Sequence, residues 1–210
     1  MLTLDHLVIS ATSLAEGVAH IERVTGTRMA PGGRHPLMGT HNRLLGLGDI
    51  YLEVIAIDPE ARPPGRPRWF DLDRFGGAPR LTNWVARCPD IARALAVSPP
   101  GAGVITPLSR GDLSWEMAVP DDGNLPFGGA FPGLIRWHGA RHPVQGLPET
   151  GLRLERLEIA CPDSAALRAS LAGRLTDERI VITEGPATTL QARLSTPRGT
   201  ISLAPPDNRP

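Results

Sequence analysis

The chain has 210 residues, 41% of them apolar and 21% charged, with 22 basic side chains balanced by 22 acidic ones. That balance gives no electrostatic footprint for nucleic acid or an anionic membrane surface, and no stretch approaches the roughly 20 apolar residues of a membrane helix. Every basic side chain is an arginine, which excludes Schiff-base chemistry and a phosphate-loop lysine.

The N-terminal residues Met1 to His6 enter a strand pattern at once, with no basic region followed by an apolar run, so a cytoplasmic location is expected. The stretch beginning at Leu4 ends on Ser13, whose hydroxyl can accept from the free N–H groups of a following helix, and Glu16 stands at the capping-box position. Leu14, Val18 and Ile21 recur at helical spacing until Gly26 stops the run. Three strand-like runs follow near Arg28 to Met29, His41 to Gly46 and Ile50 to Ile57, separated by glycine-rich turns.

The same passage begins again at Leu81, reaching Asp90 through Asn83 and Cys88, and at Leu154, reaching Asp163 through Arg156 and Cys161. Asp90 and Asp163 repeat the helix-capping position of Ser13. A short helix from Ile91 to about Val97 is predicted before Pro99 and Pro100, then strands near Gly103 to Leu108, Leu113 to Val119 and Leu134 to His138. After Asp163, Leu167 and Leu171 share a helix face that ends by Gly173, and strands are predicted at Arg179 to Glu184, Thr189 to Leu194 and Thr200 to Leu203. Residues 1–58, 81–138 and 152–204 thus read as three units of one pattern, the last terse. Residues 59–80 and 139–151 read as connectors running over the surface. Trp69 and Phe70 in the first connector are either a cover for a pocket mouth or packing anchors. Cys88 and Cys161 lack metal spacing and read as small buried apolar side chains.

Leu4-Asp5-His6-Leu7-Val8, Gly39-Thr40-His41-Asn42 and Tyr51-Leu52-Glu53-Val54-Ile55 carry a resemblance, supported by Leu134-Ile135-Arg136-Trp137 and Leu154-Glu155-Arg156-Leu157. Together they resemble the glyoxalase-like branch of the vicinal oxygen chelate superfamily, which includes glyoxalases, extradiol dioxygenases and bleomycin-resistance proteins. The resemblance spans nearly the whole chain. It implies an α+β fold of repeated β-α-β-β-β units whose curled mixed sheets form a cup-shaped pocket. It also implies metal ligands on the first and last strands of the units. His6 and Glu53 hold those positions in the first unit and suit a divalent zinc, iron, manganese or nickel ion. The second unit offers Asn83 and Arg136 and the third Arg156 and Ala204, none of them a good ligand.

Three readings of the His6 and Glu53 pair stand side by side: a metal site completed by His41, water or substrate, a general base with its orienting partner in a metal-free pocket, or a structural histidine–carboxylate contact. Period-two alternation turns Tyr51, Glu53 and Ile55 to one face and Leu52 and Val54 to the other. Arg136, a planar fork of donors where a ligand is expected, predicts an anionic small molecule unless it is tied up by Glu53 or Glu116. Trp115 and Trp137 are candidate pocket walls or core residues, and His41 a candidate third group. His20 and His35 carry less weight, and His138 and His142 are weak zinc candidates in a loop. No Gly-x-Ser-x-Gly elbow, dinucleotide glycine fingerprint or Cys-x-x-Cys is present.

The expectation is therefore a glyoxalase-like protein that binds a small anionic carbonyl or carboxylate compound, turning it over by lyase, isomerase or dioxygenase-type chemistry. The alternative is a bleomycin-resistance-like protein that sequesters a small molecule without catalysis, and a vestigial pocket is a third possibility. Neither nucleic acid nor membrane is expected as a partner, and the pattern accommodates a monomer or a homodimer.

Overall fold

A computed structural model of the protein describes residues 1–139 and 141–205. The first unit consists of β1 (Thr3–Ser10), α1 (Leu14–Thr25), β2 (Ala30–His35), β3 (Thr40–Gly46) and β4 (Tyr51–Ile57). The second repeats the order with β5 (Arg80–Arg87), α2 (Ile91–Ala96), β6 (Val104–Arg110), β7 (Leu113–Val119) and β8 (Gly133–Trp137). A third segment holds β9 (Arg153–Cys161), α3 (Ser164–Leu171), β10 (Ile180–Glu184), β11 (Thr189–Thr196) and β12 (Gly199–Leu203).

Capping chemistry sets the helix ends. Ser13 accepts from the Glu16 N–H at 3.2 Å, and Gly26 closes α1 in the left-handed region at φ 67°, its N–H donating to Glu22 O. The capping box is only half formed, because the Glu16 carboxylate takes the Thr12 hydroxyl instead of the Ser13 N–H. Asp90 accepts from the Arg93 N–H at 3.0 Å, whereas Asp163, at the corresponding position, makes no side-chain cap bond. Gly17 lets α1 lie close on the sheet: a Cβ there would stand 2.5 Å from Val54 Cγ1.

The first two units join into one eight-stranded sheet in the order β2-β3-β4-β1-β5-β8-β7-β6. In each unit the last strand returns parallel to the first, and β1 meets β5 antiparallel at the centre, with Leu7 opposite Trp84. That pair marks an approximate two-fold axis relating the units. The sheet curls until its edge strands β2 and β6 approach each other, which makes the cup.

The third segment keeps the order of elements but not the connectivity. Its β10 lies parallel beside β9, and β11 and β12 follow on the other side, giving a separate sheet of order β10-β9-β11-β12 that adds nothing to the cup. Instead Leu154, Leu157, Ile159, Leu190, Ala192 and Leu194 pack with Leu4, Leu7, Ile9, Trp84 and Leu134 on the convex side of the large sheet. The concave side carries its own cluster, including Val8, Ile55, Val85, Trp115, Met117 and Ile135. Part of the first connector belongs to this inner cluster: Trp69, Phe70 and Leu72 are all buried in it, so residues 59–80 do not simply cross the surface. An apolar concave face must be covered, and the connector's aromatic residues cover it. Among the described residues, no helix is long and apolar enough to cross a membrane.

Candidate active site

The site starts from an irregularity in β1. The ladder to β5 skips a residue between Leu4 and His6, leaving Asp5 at a bulge, so that neighbours in sequence can both turn inward. His6 Nδ1–H donates to Asp5 Oδ1 at 2.7 Å, and both side chains are buried. Asp5 Oδ2 also accepts from Trp137 Nε1–H at 3.0 Å and His142 Nε2–H at 2.9 Å, with the Arg87 guanidinium 3.7 Å away. His142 Nδ1 accepts the Val144 N–H, which leaves the ring proton on Nε2 and aimed at Asp5.

On the far side, His6 Nε2 lies 3.6 Å from Glu53 Oε2, and Tyr51 stacks on the His6 ring at 4.5 Å. Glu53 accepts from the Asn42 amide, while Asn42 Oδ1 accepts from the Gly33 N–H at 2.8 Å and from Arg110 Nη1 at 3.0 Å. Arg110 comes from the end of β6 and bridges the two edge strands of the curled sheet. The glycines of β2 make room for it: a Cβ on Gly33 would sit 2.2 Å from Arg110 Cδ, and one on Gly32 would sit 2.1 Å from the Asn42 carbonyl oxygen.

Charge follows from this wiring. Burial alone would lower the His6 pKa, but hydrogen bonds and charge from Asp5 and Glu53 outweigh it and push it up to about 9. Burial would likewise raise both carboxylates, yet His142 and His6 hold Asp5 well below the usual range, and His6 with Asn42 brings Glu53 down to about 2. His6 is thus an imidazolium between two carboxylates. His35, buried beside Asn42 with Nδ1 to Thr40 Oγ1 at 3.0 Å, is held neutral by burial, its pKa falling to about 4.

These groups border a cavity of about 30 Å³, walled by Trp69, Phe70, Trp115 and Trp137. It has room for a water or two. Its size is set by the Trp69–Asp71 turn, which fills the rest of the cup. Phe70 (φ 58°) and Asp71 (φ 55°) are consecutive non-glycine residues in the left-handed region, each costing on the order of 1–3 kcal/mol. Among the described residues the buried Trp69 indole N–H has no partner. A loop of the second unit latches the turn, Gly123 O accepting the Asp71 N–H at 2.9 Å.

The structure gathers His6, Glu53, Tyr51, Trp115 and Trp137 around this cavity. It does not bring Asn83, His41 or Arg136 there. Asn83 is the two-fold equivalent of His6, but Phe70 stands between it and the cavity, and Asn83 lines a separate cleft. His41 points to the face opposite Asn42, 4.0 Å from Asp58, with its buried Nε2 unpaired among the described residues. Arg136 also lies on the wrong face: Ile135 and Trp137 face the cavity, and Arg136 pairs with Glu116 at 3.3 Å with 43% of its side chain exposed. The register assigns the equivalent of Glu53 to Gly133, since Val8 opposes Glu53 as Val85 opposes Gly133. Phe70 Cε1 lies 3.7 Å from where a Gly133 Cβ would be. Sequence reasoning missed Asp5, Asn42 and Arg110 as site residues and undervalued His35 and His142, the latter weighed only as a weak zinc candidate.

The metal reading fits poorly. Among the described residues no group of three or more His, Cys, Asp and Glu side chains is disposed to hold an ion. In the cup His6 and Glu53 face each other, His35 lies beyond Asn42 and is bonded to Thr40, and the second unit supplies an amide and a glycine at the equivalent positions. Two converging donors fall short of the three or four protein ligands such an ion needs, so no step is derived through an ion.

Residues 4–175 match the family model described as the glyoxalase-like domain. The chain belongs to that family. The glyoxalase-like fold extends to a crystal structure of a hypothetical protein from Staphylococcus aureus, 12% identical, with a TM-score of 0.63 over 90% of this chain and 88% of that one. Methylmalonyl-CoA epimerase from Mycobacterium tuberculosis is 15% identical, with a TM-score of 0.42 over 66% of this chain and 88% of that one. No curated protein matches the chain.

Proposed function

We propose that this glyoxalase-like protein binds a small carbonyl or carboxylate compound in its cup and transfers a proton on it, a lyase- or isomerase-type reaction. The observation that carries this reading is the continuous line Asp5–His6–Glu53, buried end to end and reaching a cavity that Arg110 also lines. Glu53 is the proton acceptor. His6, fixed by Asp5, donates from Nε2 to the substrate oxygen on which charge develops, and Arg110 adds a second positive centre there. Arg110 takes over the anion-binding role that the sequence pattern assigned to Arg136. In the resting state the contact with His6 keeps Glu53 a weak base. When substrate turns the His6 proton toward its own oxygen, that contact loosens and the basicity of Glu53 rises as the water-excluded step begins.

The test is exchange of carbon-bound hydrogen in D2O, followed by NMR, for a panel of 2-oxo acids and hydroxyketones. Glu53→Gln and His6→Gln each lower the exchange rate of any active compound by about 10²- to 10⁴-fold. Binding without exchange across the panel in wild-type protein overturns the catalytic reading in favour of sequestration.

A further inference from the structure

Behind the Trp69–Asp71 turn lies a second space, a cleft of about 760 Å³ between the large sheet and the small one. Its walls bring together Arg74, Arg80, Asn83, Asn124 and Thr188, with the backbone of Gly76 to Ala78 at one end. This volume suits a small organic ligand, whereas the cavity at His6 and Glu53 admits only water. Phe70 lines both.

We propose that the cleft and the buried cavity are two parts of one binding site and that Phe70 is the movable wall between them. The cleft takes the body of the substrate, and withdrawal of Phe70 admits its reactive head to His6, Glu53 and Arg110. Three observations mark the closed turn as poised to move. Phe70 and Asp71 both hold left-handed backbone, Trp69 keeps a buried indole N–H without a partner among the described residues, and the Phe70 ring lies over Gly133, which adds no side chain of its own and leaves the ring beside the flexible end of Met117. An occupant of the cleft that packs against the withdrawn ring shifts the equilibrium in proportion to its preference for the open form. Arg74 is paired with Asp71 at 2.7 Å, which leaves the Arg80 guanidinium and the amides of Asn83 and Asn124 to suit a body that bears an anionic group. The catalytic use of the junction rests on the acid–base reading above, but the junction itself does not.

Access to His6 is measured as deuterium uptake at its imidazole C2 position by mass spectrometry, which needs no substrate. Phe70→Ala removes the wall and speeds uptake at His6 at least tenfold. Asp71→Gly relieves the left-handed strain and leaves the walls of the buried cavity in place, although it also frees Arg74 at the cleft, and by favouring the closed turn it slows uptake at least threefold. Ala187→Trp, which narrows the cleft from its exposed rim, cancels at least half of the Phe70→Ala acceleration. Uptake within twofold of wild type in Phe70→Ala overturns the proposal, as does an unslowed Asp71→Gly if Phe70→Ala does not fold. An acceleration that Ala187→Trp leaves intact overturns the cleft as the route. Because uptake is independent of turnover, an unproductive substrate panel leaves these outcomes standing, and an unmoved uptake rate sinks the gate even where turnover is found.

Discussion

Asp5 accepts from three ring N–H groups, those of His6, Trp137 and His142, in a place with no solvent to replace any of them. Removing one partner of such a buried pair strands the others, so Asp5→Ala is expected to cost about 3–5 kcal/mol in urea denaturation. Arg136→Ala, which breaks a half-exposed pair, should cost under about 1 kcal/mol. The two buried histidines also predict the shape of stability against pH. His6 binds its proton more tightly folded than unfolded, so its contribution is full below pH 6.5 and is lost as pH rises through about 9. His35 resists protonation in the fold, so its contribution is full above pH 6.5 and is lost as pH falls toward about 4. Stability should therefore peak near pH 6.5, with arms on the order of 3 kcal/mol deep. His6→Gln flattens the alkaline arm and His35→Gln the acid one, a pattern that denaturation midpoints across pH 4–9 will read. His6 and Glu53 were legible in the sequence because each stands in a motif of the glyoxalase-like resemblance, Leu4-Asp5-His6-Leu7-Val8 and Tyr51-Leu52-Glu53-Val54-Ile55. Asp5 was not, since alternation sends it to the opposite face and only the bulge brings it back. Arg136 illustrates the converse: it stands three residues beyond Gly133, the true equivalent of Glu53, and an odd displacement along β8 exchanges the two faces.

Among the elements, β2 is the least like a strand by composition, and its glycines are what the site demands of it. Gly33→Ala meets the Arg110 side chain at Cδ and Cγ, so it should displace the guanidinium from Asn42 and weaken ligand binding, at a smaller stability cost than a clash with backbone. Gly32→Ala meets the Asn42 backbone instead and should cost about 1–3 kcal/mol, which parallel urea titrations and ligand-binding isotherms will separate. Helix starts at Ser13 and Asp90 could be located in advance, because capping is local chemistry. The inward turn at Trp69 could not. Nothing in a run of proline, arginine and glycine shows that two ordinary residues will adopt left-handed backbone, which only the surrounding cup and the Gly123 latch enforce.

For the molecule as a whole, the repeat was visible because strand, cap and helix recur in order, but succession does not encode which strands become neighbours. The third segment accordingly forms its own sheet rather than a third part of the cup. That sheet covers the convex side of the central strands, including Leu4, Leu7, Ile9 and Trp84. A fragment comprising residues 1–151 should expose this apolar surface and accumulate as aggregate on expression, measured as the soluble fraction against the full chain. The meeting of β2 and β6 has a consequence of another kind. Both are edge strands, each carries a proline (Pro31 and Pro107), and β2 is irregular between Pro31 and Arg34. Neither offers a neighbouring molecule an unbroken row of backbone donors and acceptors, so the larger sheet is shielded from fibril-like growth at both rims. The exposed ladders of β10 and β12 are where crowding or partial unfolding would first recruit a foreign strand.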